Sequence, residues 1–252
     1  MENDFVSHSF SRYNRKIQLF FNNTADYQYK EVKLRNDFYE IRILRYVRSV
    51  IRLADFSVGY DIGTCFGNHS VFFSAICGCK VYSFEPNETL LPIIHKNLET
   101  NGVPVRLYNV AVGEHESQGQ VVAEQGNVGG SFVQDGVGGI KIMTLDACEK
   151  SFSLAPPNFL KIDVEGYEVK VLSGADDLLA KSHPDIFIEV QRENKKQVFK
   201  ILSAYGYKMV MKFGKNYHFS NKGFLYRLHC AAYGFWANVR AESDTLVRKL
   251  FS

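Results

Sequence analysis

Apolar and polar positions follow two rhythms along this chain. In EVKLRNDFYEIRILRYVRSVIRL, Ile41, Leu44, Val47 and Ile51 recur at helical spacing, with Arg42, Arg45, Arg48 and Arg52 between them. This predicts an amphipathic helix with its stripe on a core and its arginines in water. From 55 to 222, short apolar runs alternate with helix-period stretches. VGYDIG (58–63) reads as a strand and 68–77 as the helix after it. KVYSFEPN (80–87) is a second strand stopped by Pro86, and LLPIIHKNLETNG (90–102) a helix closed by Asn101-Gly102. VRLYNVAVG is a third strand, and 118–146 reads as strands around a glycine-rich loop holding Gly126, Gly129, Gly130, Gly136, Gly138 and Gly139. NFLKIDVEGYE and PDIFIEV are buried strands, each followed by a helix, VKVLSGADDLLA and KQVFKILSAYG. YKMVMK and NYHFSNK close the series as a hairpin.

Alternating strands and helices predict βαβ units, hence an α/β fold: a mostly parallel sheet with helices on both faces. The chain divides into residues 1–54, polar then helical; 55–222, the α/β domain; and 223–252, an aromatic-rich helical tail. In that tail Leu225, Leu228, Ala232 and Phe235, with Tyr226, Tyr233 and Trp236 close by, share one surface, and Arg227, Arg240, Arg248 and Lys249 leave it net basic. It reads either as a helix docked on the sheet or on a second subunit, or as a membrane-surface helix with its arginines on anionic lipid.

Composition changes this picture little. A 46% hydrophobic, 23% charged chain is ordinary for a globular protein, and a net charge of +3 does not argue for nucleic acid. No apolar run is long enough for a membrane span, and the N-terminus has no apolar leader. Five scattered cysteines, odd in number, fit reduced thiols and a cytoplasmic location.

The candidate chemistry gathers where strands end, because ligands of open α/β sheets bind at the strand C-termini. The first turn reads D-x-G-x-x-x-G, with Asp61, Gly63 and Gly67, and Glu85 ends the second strand. An acid there accepts hydrogen bonds from ribose hydroxyls. A dinucleotide pyrophosphate calls for G-x-G-x-x-G and gains nothing from an acid beside the turn. S-adenosylmethionine has no phosphate and carries an ammonium and a sulfonium. Asp61 is placed for the ammonium, and the N–H groups around Gly67, Asn68 and His69 for the carboxylate.

The segments DIGTCFGNHSVFFS, VYSFEPN, NVAVG, TLD and LKIDVEGYEVKVLSGA followed by FIEV resemble, in that order, the FkbM-type S-adenosylmethionine-dependent methyltransferases. The resemblance runs from about Gly59 to Val190, and KIDVEGYE is its most specific part. It implies a class I methyltransferase fold, a Rossmann-like seven-stranded sheet whose last strand is antiparallel. It also implies O-methylation of sugars or natural products. Position by position it places Asp61, Gly63, Gly67 and Asn68 at the cofactor loop, Glu85 and Asn87 at the ribose, and Asn109, Val110 and Ala111 at the adenine.

Methyl transfer must align an acceptor oxygen and take its proton, so a base or a metal is expected near the methyl group. Asp163, Glu165 and Glu189 end the fourth and fifth strands, Lys161 shares the parity of Asp163, and His69 is the histidine at the cofactor loop. Asp163 and Glu189 together suit a divalent cation through hard oxygen ligands. A NAD-dependent oxidoreductase or epimerase, and a non-catalytic binding module of the same fold, are the competing readings. The expected partners are a carbohydrate or small-molecule acceptor and no nucleic acid.

Overall fold

The computed structural model describes residues 5–235 apart from 125, 126 and 137. The chain begins with a hairpin, β1 (Val6–Arg12) and β2 (Arg15–Phe21), then α1 (Tyr27–Arg35) and α2 (Ile41–Ala54). β3 (Val58–Ile62), α3 (Asn68–Val71), β4 (Lys80–Phe84), α4 (Leu91–Thr100) and β5 (Arg106–Tyr108) follow. Next come β6 (Ala111–Val112), β7 (Ser117–Glu124), β8 (Asn127–Asp135), β9 (Ile140–Met143) and α5 (Leu145–Ser151). The rest is β10 (Phe159–Ile162), α6 (Glu168–Ser173), α7 (Asp176–Lys181), β11 (Asp185–Glu189), α8 (Lys195–Ala204), β12 (Lys208–Phe213) and β13 (Asn216–Ser220). Residues 224–235 form a final helix.

Seven strands make the main sheet in the order β12-β13-β11-β10-β3-β4-β5. β5, β4, β3, β10 and β11 run parallel, and β13 runs antiparallel to both neighbours, as the closing hairpin predicts. Successive residues of a strand face opposite sides of a sheet. Phe159 and Phe187 accordingly join one buried cluster, with α2, α3 and α4, while Leu160 and Ile186 join the other, with α6, α7 and α8. Helices therefore cover both faces. Among the described residues no helix is long and apolar enough to cross a membrane, and all five cysteines are free.

Register decides where chemistry gathers. Ile62 pairs with Phe84 and Ile162, and Ile162 pairs with Ile188. The next residue of each strand, Gly63, Glu85, Asp163 and Glu189, therefore stands in one row along the C-terminal edge.

Several expectations need correction. The N-terminal segment is a hairpin before it is helical, and it belongs to the core. Phe10, Ile17, Leu19 and Phe21 are buried with Phe72, Val81 and Ile94. Asn97 on α4 holds β2 like a missing neighbouring strand: Phe20 N–H donates to its Oδ1 at 2.6 Å, and its Nδ2 donates to Phe20 O at 3.0 Å and to Phe66 O at 2.7 Å. Asn101 pairs likewise with Gln18. The arginines of α2 are not simply solvated: Arg45 reaches Asp37 at 3.4 Å, and Arg48 and Arg42 lie over the rings of Tyr13 and Phe213.

The single third strand is two. β5 ends at Tyr108, the Asn109 amide donates to Glu85 O, and the chain turns into β6 of a separate sheet, β6-β9-β7-β8. Much of the glycine-rich stretch is strand rather than loop: Gly129 and Gly130 lie within β8, and Gly126 falls outside the described residues. The helix after β10 breaks at Gly174, where a Cβ would sit 2.0 Å from Gly113 O. The tail helix docks through buried Cys230 and through Tyr226, whose hydroxyl donates to Asp185. Trp236, Arg240, Arg248 and Lys249 lie outside the described residues.

Candidate active site

The row of strand ends opens into a cavity of about 220 Å³. Its walls come from the turns after β3, β4, β10 and β11, from Tyr27, Gln28 and Tyr39 of the N-terminal segment, and from Val121, Ser131, Phe132 and Val133 of the β7–β8 hairpin.

The first turn is built around Gly63 at φ +81°, where a Cβ would lie 1.9 Å from the carbonyl oxygen of Asp163. No other residue fits, and the turn is thereby pressed against the end of β10. Gly67, also left-handed, starts α3 and does not line the cavity. Asp61 is fully buried beneath the turn and lines no part of the cavity either. Its Oδ2 accepts from Thr64 Oγ1 at 2.7 Å and Ser70 Oγ at 2.5 Å, while Oδ1 has no partner. Its observed contacts brace the loop. Asn68 does line the cavity, but its amide is engaged twice with the backbone of Tyr39 and locks the N-terminal segment to α3.

Glu85 is presented quite differently. It is 6% exposed and faces the cavity, its Oε2 accepting Cys65 N–H and its Oε1 accepting Asn87 N–H, both at 2.9 Å. Burial pushes this carboxyl up to about 7 against those two bonds, with Asp61 adding repulsion. Asn87 spends its side chain capping the short turn at Thr89. Asn109 lies outside the cavity and supports Glu85 from behind, whereas Val110 and Ala111 form an apolar wall with Phe84 and Leu90.

The other half of the cavity is acidic. Lys161 is buried under it, its Nζ 3.0 Å from Asp163 Oδ2 and 3.5 Å from Asn216 Oδ1. Burial pulls the lysine down, but Asp163 and Glu40 outweigh it and hold the ammonium charged. Glu189 lines the cavity, and burial together with the Asp163 charge pushes it up to about 7 despite Lys161. Glu165 does not continue the strand. It lies beyond the end of β10 at Ile162 with a left-handed φ of 43°, and its Oε2 accepts from Gln191 at 2.8 Å. It still lines the cavity, its carboxyl raised by burial and by Asp163.

His69 also lines the cavity and points to a residue that sequence reading missed. Its Nε2 is 3.3 Å from Glu40 Oε2. Glu40 sits in a left-handed turn ahead of α2, and its Oε1 accepts from Asn216 at 3.2 Å. Burial raises Glu40, but His69 and Lys161 outweigh that and bring it down to about 2. The one local signal was an acid directly before an amphipathic helix, which reads as a helix start. His218 is buried away from the cavity between Asp185 and Tyr46.

Residues 61–209 match the family model described as the methyltransferase FkbM domain. The chain belongs to the FkbM methyltransferase family. Within it, the match starts inside β3 and leaves the N-terminal hairpin, α1, α2 and Glu40 outside. The chain is 28% identical over 179 residues, 66% of its length and 72% of the relative's, to the hexuronic acid methyltransferase AglP of Haloferax volcanii. Among solved structures it is similar to methyltransferase FkbM from Methylobacillus flagellatus KT, with a TM-score of 0.46 and 15% identity over 66% of this chain. That likeness takes in 44% of the solved chain, less than half of it. It is also similar to precorrin-6y C5,15-methyltransferase from Geobacter metallireducens GS-15, with a TM-score of 0.45 and 18% identity, over 71% of this chain and 85% of that one.

Proposed function

We propose that this FkbM-family chain transfers a methyl group from S-adenosylmethionine to a sugar hydroxyl. One observation carries the reading: Glu85, Asp163, Glu165 and Glu189 line the cavity, and among the described residues neither a lysine nor an arginine does. A sulfonium and an ammonium gain from such a field, whereas a dinucleotide pyrophosphate would meet only repulsion. Glu85, fixed by two backbone N–H groups, is the acceptor for a ribose diol. The wall of Phe84, Leu90, Val110 and Ala111 gives an adenine ring an apolar seat.

When bound, S-adenosylmethionine supplies a methyl group on a positively charged sulfur. The chain's own residues do the rest. The turn at Gly63 and Gly67 sets the loop against the end of β10. Lys161 holds Asp163 in place. Glu189, poised about neutrality, takes the proton of the acceptor oxygen. The relative named for a hexuronic acid supports the sugar class, and a carboxylate base suited to hydroxyl chemistry supports O-transfer. A binding module without catalysis would not need Glu189 poised in this way.

The test is transfer of a labelled methyl group from S-adenosylmethionine to a panel of hexosides and hexuronides, followed by mass spectrometry. Gain of one CH₂ unit on a sugar oxygen is expected. Label on no sugar, with hydride transfer from a nicotinamide cofactor instead, would overturn the reading.

A further inference from the structure

Beside Asp163, two side chains converge that the cofactor contacts above do not use. Glu40 comes from the turn before α2, and His69 from the first turn of α3. One donor atom each of Glu40, His69 and Asp163 lies within 4.8 Å of the other two. His69 is 6% exposed, and its ring stacks against Tyr39 and Phe73. His69 Nε2 and Glu40 Oε2, both buried, lie at ion-pair distance, 3.3 Å, but neither meets hydrogen-bond geometry with any group. They face each other off the line that a hydrogen bond needs. Buried polar atoms left this way cost free energy and call for a ligand.

The surroundings favour a cation. Glu165 and Glu189 stand close enough to Asp163 for its charge to raise both, and Lys161 is the buried ammonium set against them all. Lys161 occupies Oδ2 of Asp163, and Asn216 occupies Oε1 of Glu40, so Glu40 Oε2 is left over.

We infer that Glu40, His69 and Asp163 form a binding site for one divalent transition-metal cation. One imidazole nitrogen with two carboxylate oxygens suits Mn²⁺, Fe²⁺ or Zn²⁺ better than Ca²⁺ or Mg²⁺, which take oxygen ligands. Bonds of about 2.0–2.2 Å put neighbouring donors roughly 3–3.5 Å apart. His69 Nε2 and Glu40 Oε2 already stand at that spacing, and Asp163 closes on them from within 4.8 Å when the ion binds. His69 and Asp163 also line the cavity, so the remaining coordination positions open into it, as in sites that bind a substrate oxygen. Binding of the cation stands by itself. Its use rests on the methyl-transfer reading: a sugar hydroxyl becomes a ligand, its O–H bond is weakened, and its proton passes to Glu189. The site also differs from the Asp163/Glu189 pair expected from sequence, since Glu189 is not in the cluster and Glu40, outside the family match, is.

The test uses the full chain stripped with chelator and titrated with Mn²⁺, following the free-ion signal by electron paramagnetic resonance. Uptake of one Mn²⁺ per chain is expected. Glu40→Gln, Asp163→Asn and His69→Gln should each weaken it by about tenfold or more, and Glu165→Gln by much less. Circular dichroism checks each variant. If His69→Gln fails to fold, the two carboxamide variants decide. No uptake of Mn²⁺ or Zn²⁺ at millimolar concentration, or uptake indifferent to all three substitutions, would overturn the proposal and leave an imidazole–carboxylate pair only. S-adenosylhomocysteine binding by the same stripped protein is measured separately. A missing metal with intact binding sinks this site and not the methyl-transfer reading.

Discussion

The carboxylate of Glu85 holds a backbone N–H on each oxygen and still faces the cavity, while that of Asp61 is folded into the loop beneath it. The two acids should therefore fail differently. Glu85→Gln should leave folding intact and weaken S-adenosylhomocysteine by roughly tenfold to a hundredfold, the value of hydrogen bonds to a charged acceptor. Asp61→Ala should lower stability by about 1–3 kcal/mol, since Thr64 and Ser70 lose their shared acceptor. Calorimetric titration and urea unfolding of both variants separate these outcomes. Glu189 carries the pH dependence. A base raised to about 7 is active only when deprotonated, and Glu85 is raised to about the same value in the free protein. The profile is therefore taken as kcat at saturating cofactor and acceptor, which should rise with pH through about 7 and then level. Glu189→Gln should remove that inflection and slow turnover by about a hundredfold or more. Sequence spacing placed Glu85 and Glu189 at strand ends correctly because each directly follows a strand in register. It put Asp61 just before the first turn, where it stands, but could not show the hydroxyls of Thr64 and Ser70, which turn back on it only in three dimensions. Glu40 was invisible for a related reason: its partner His69 is far along the chain.

Elements with a strong period were legible: α2, β3, β4, β10 and β11 stand where the pattern put them. Those without one were not. β5 and β6 read as one run because Asn109 is a single polar residue between apolar ones, and its bond to Glu85 O, which redirects the chain, forms only in three dimensions. The β7–β8 region read as strands around a glycine-rich loop because glycines weaken a strand signal, yet the two strands pair along most of their length, and Gly129 and Gly130 lie within β8. That hairpin places Gly129, Phe132 and Val133 over the cavity. Replacing Gly129-Gly130 with Ala-Ala should raise the acceptor KM severalfold while S-adenosylhomocysteine affinity changes by less than about twofold, within the error of a few tenths of a kcal/mol typical of neutral changes. Equal losses in both measurements would mean that the hairpin serves the fold and not the acceptor.

At the scale of the whole molecule, chemistry and stability occupy opposite edges of the sheet. Asp185 starts β11, where Glu189 ends it, and is fully buried. It accepts from Ser220 Oγ and Lys222 Nζ at 2.7 Å, from Tyr226 of the tail helix, and lies 3.2 Å from His218, which reaches Tyr46 of α2. Burial raises its carboxyl, but His218 and Lys222 prevail and bring it down to about 2. A lowered folded value means that the stabilisation is complete above about 4 and fades as pH falls toward about 2. Asp185→Ala should cost roughly 3–5 kcal/mol at neutral pH, with the gap to the native chain narrowing in urea titrations run below pH 4. No constant gap down to pH 2 is compatible with that network. At the cavity edge, the acidic row is proposed to receive a phosphate-free nucleoside that carries an ammonium. The most direct measurement is calorimetric titration of the purified chain with S-adenosylhomocysteine and, in parallel, with NADH. Saturable one-to-one binding of S-adenosylhomocysteine, reduced in Glu85→Gln, and none of NADH is predicted; NADH binding with no response to S-adenosylhomocysteine would contradict the account.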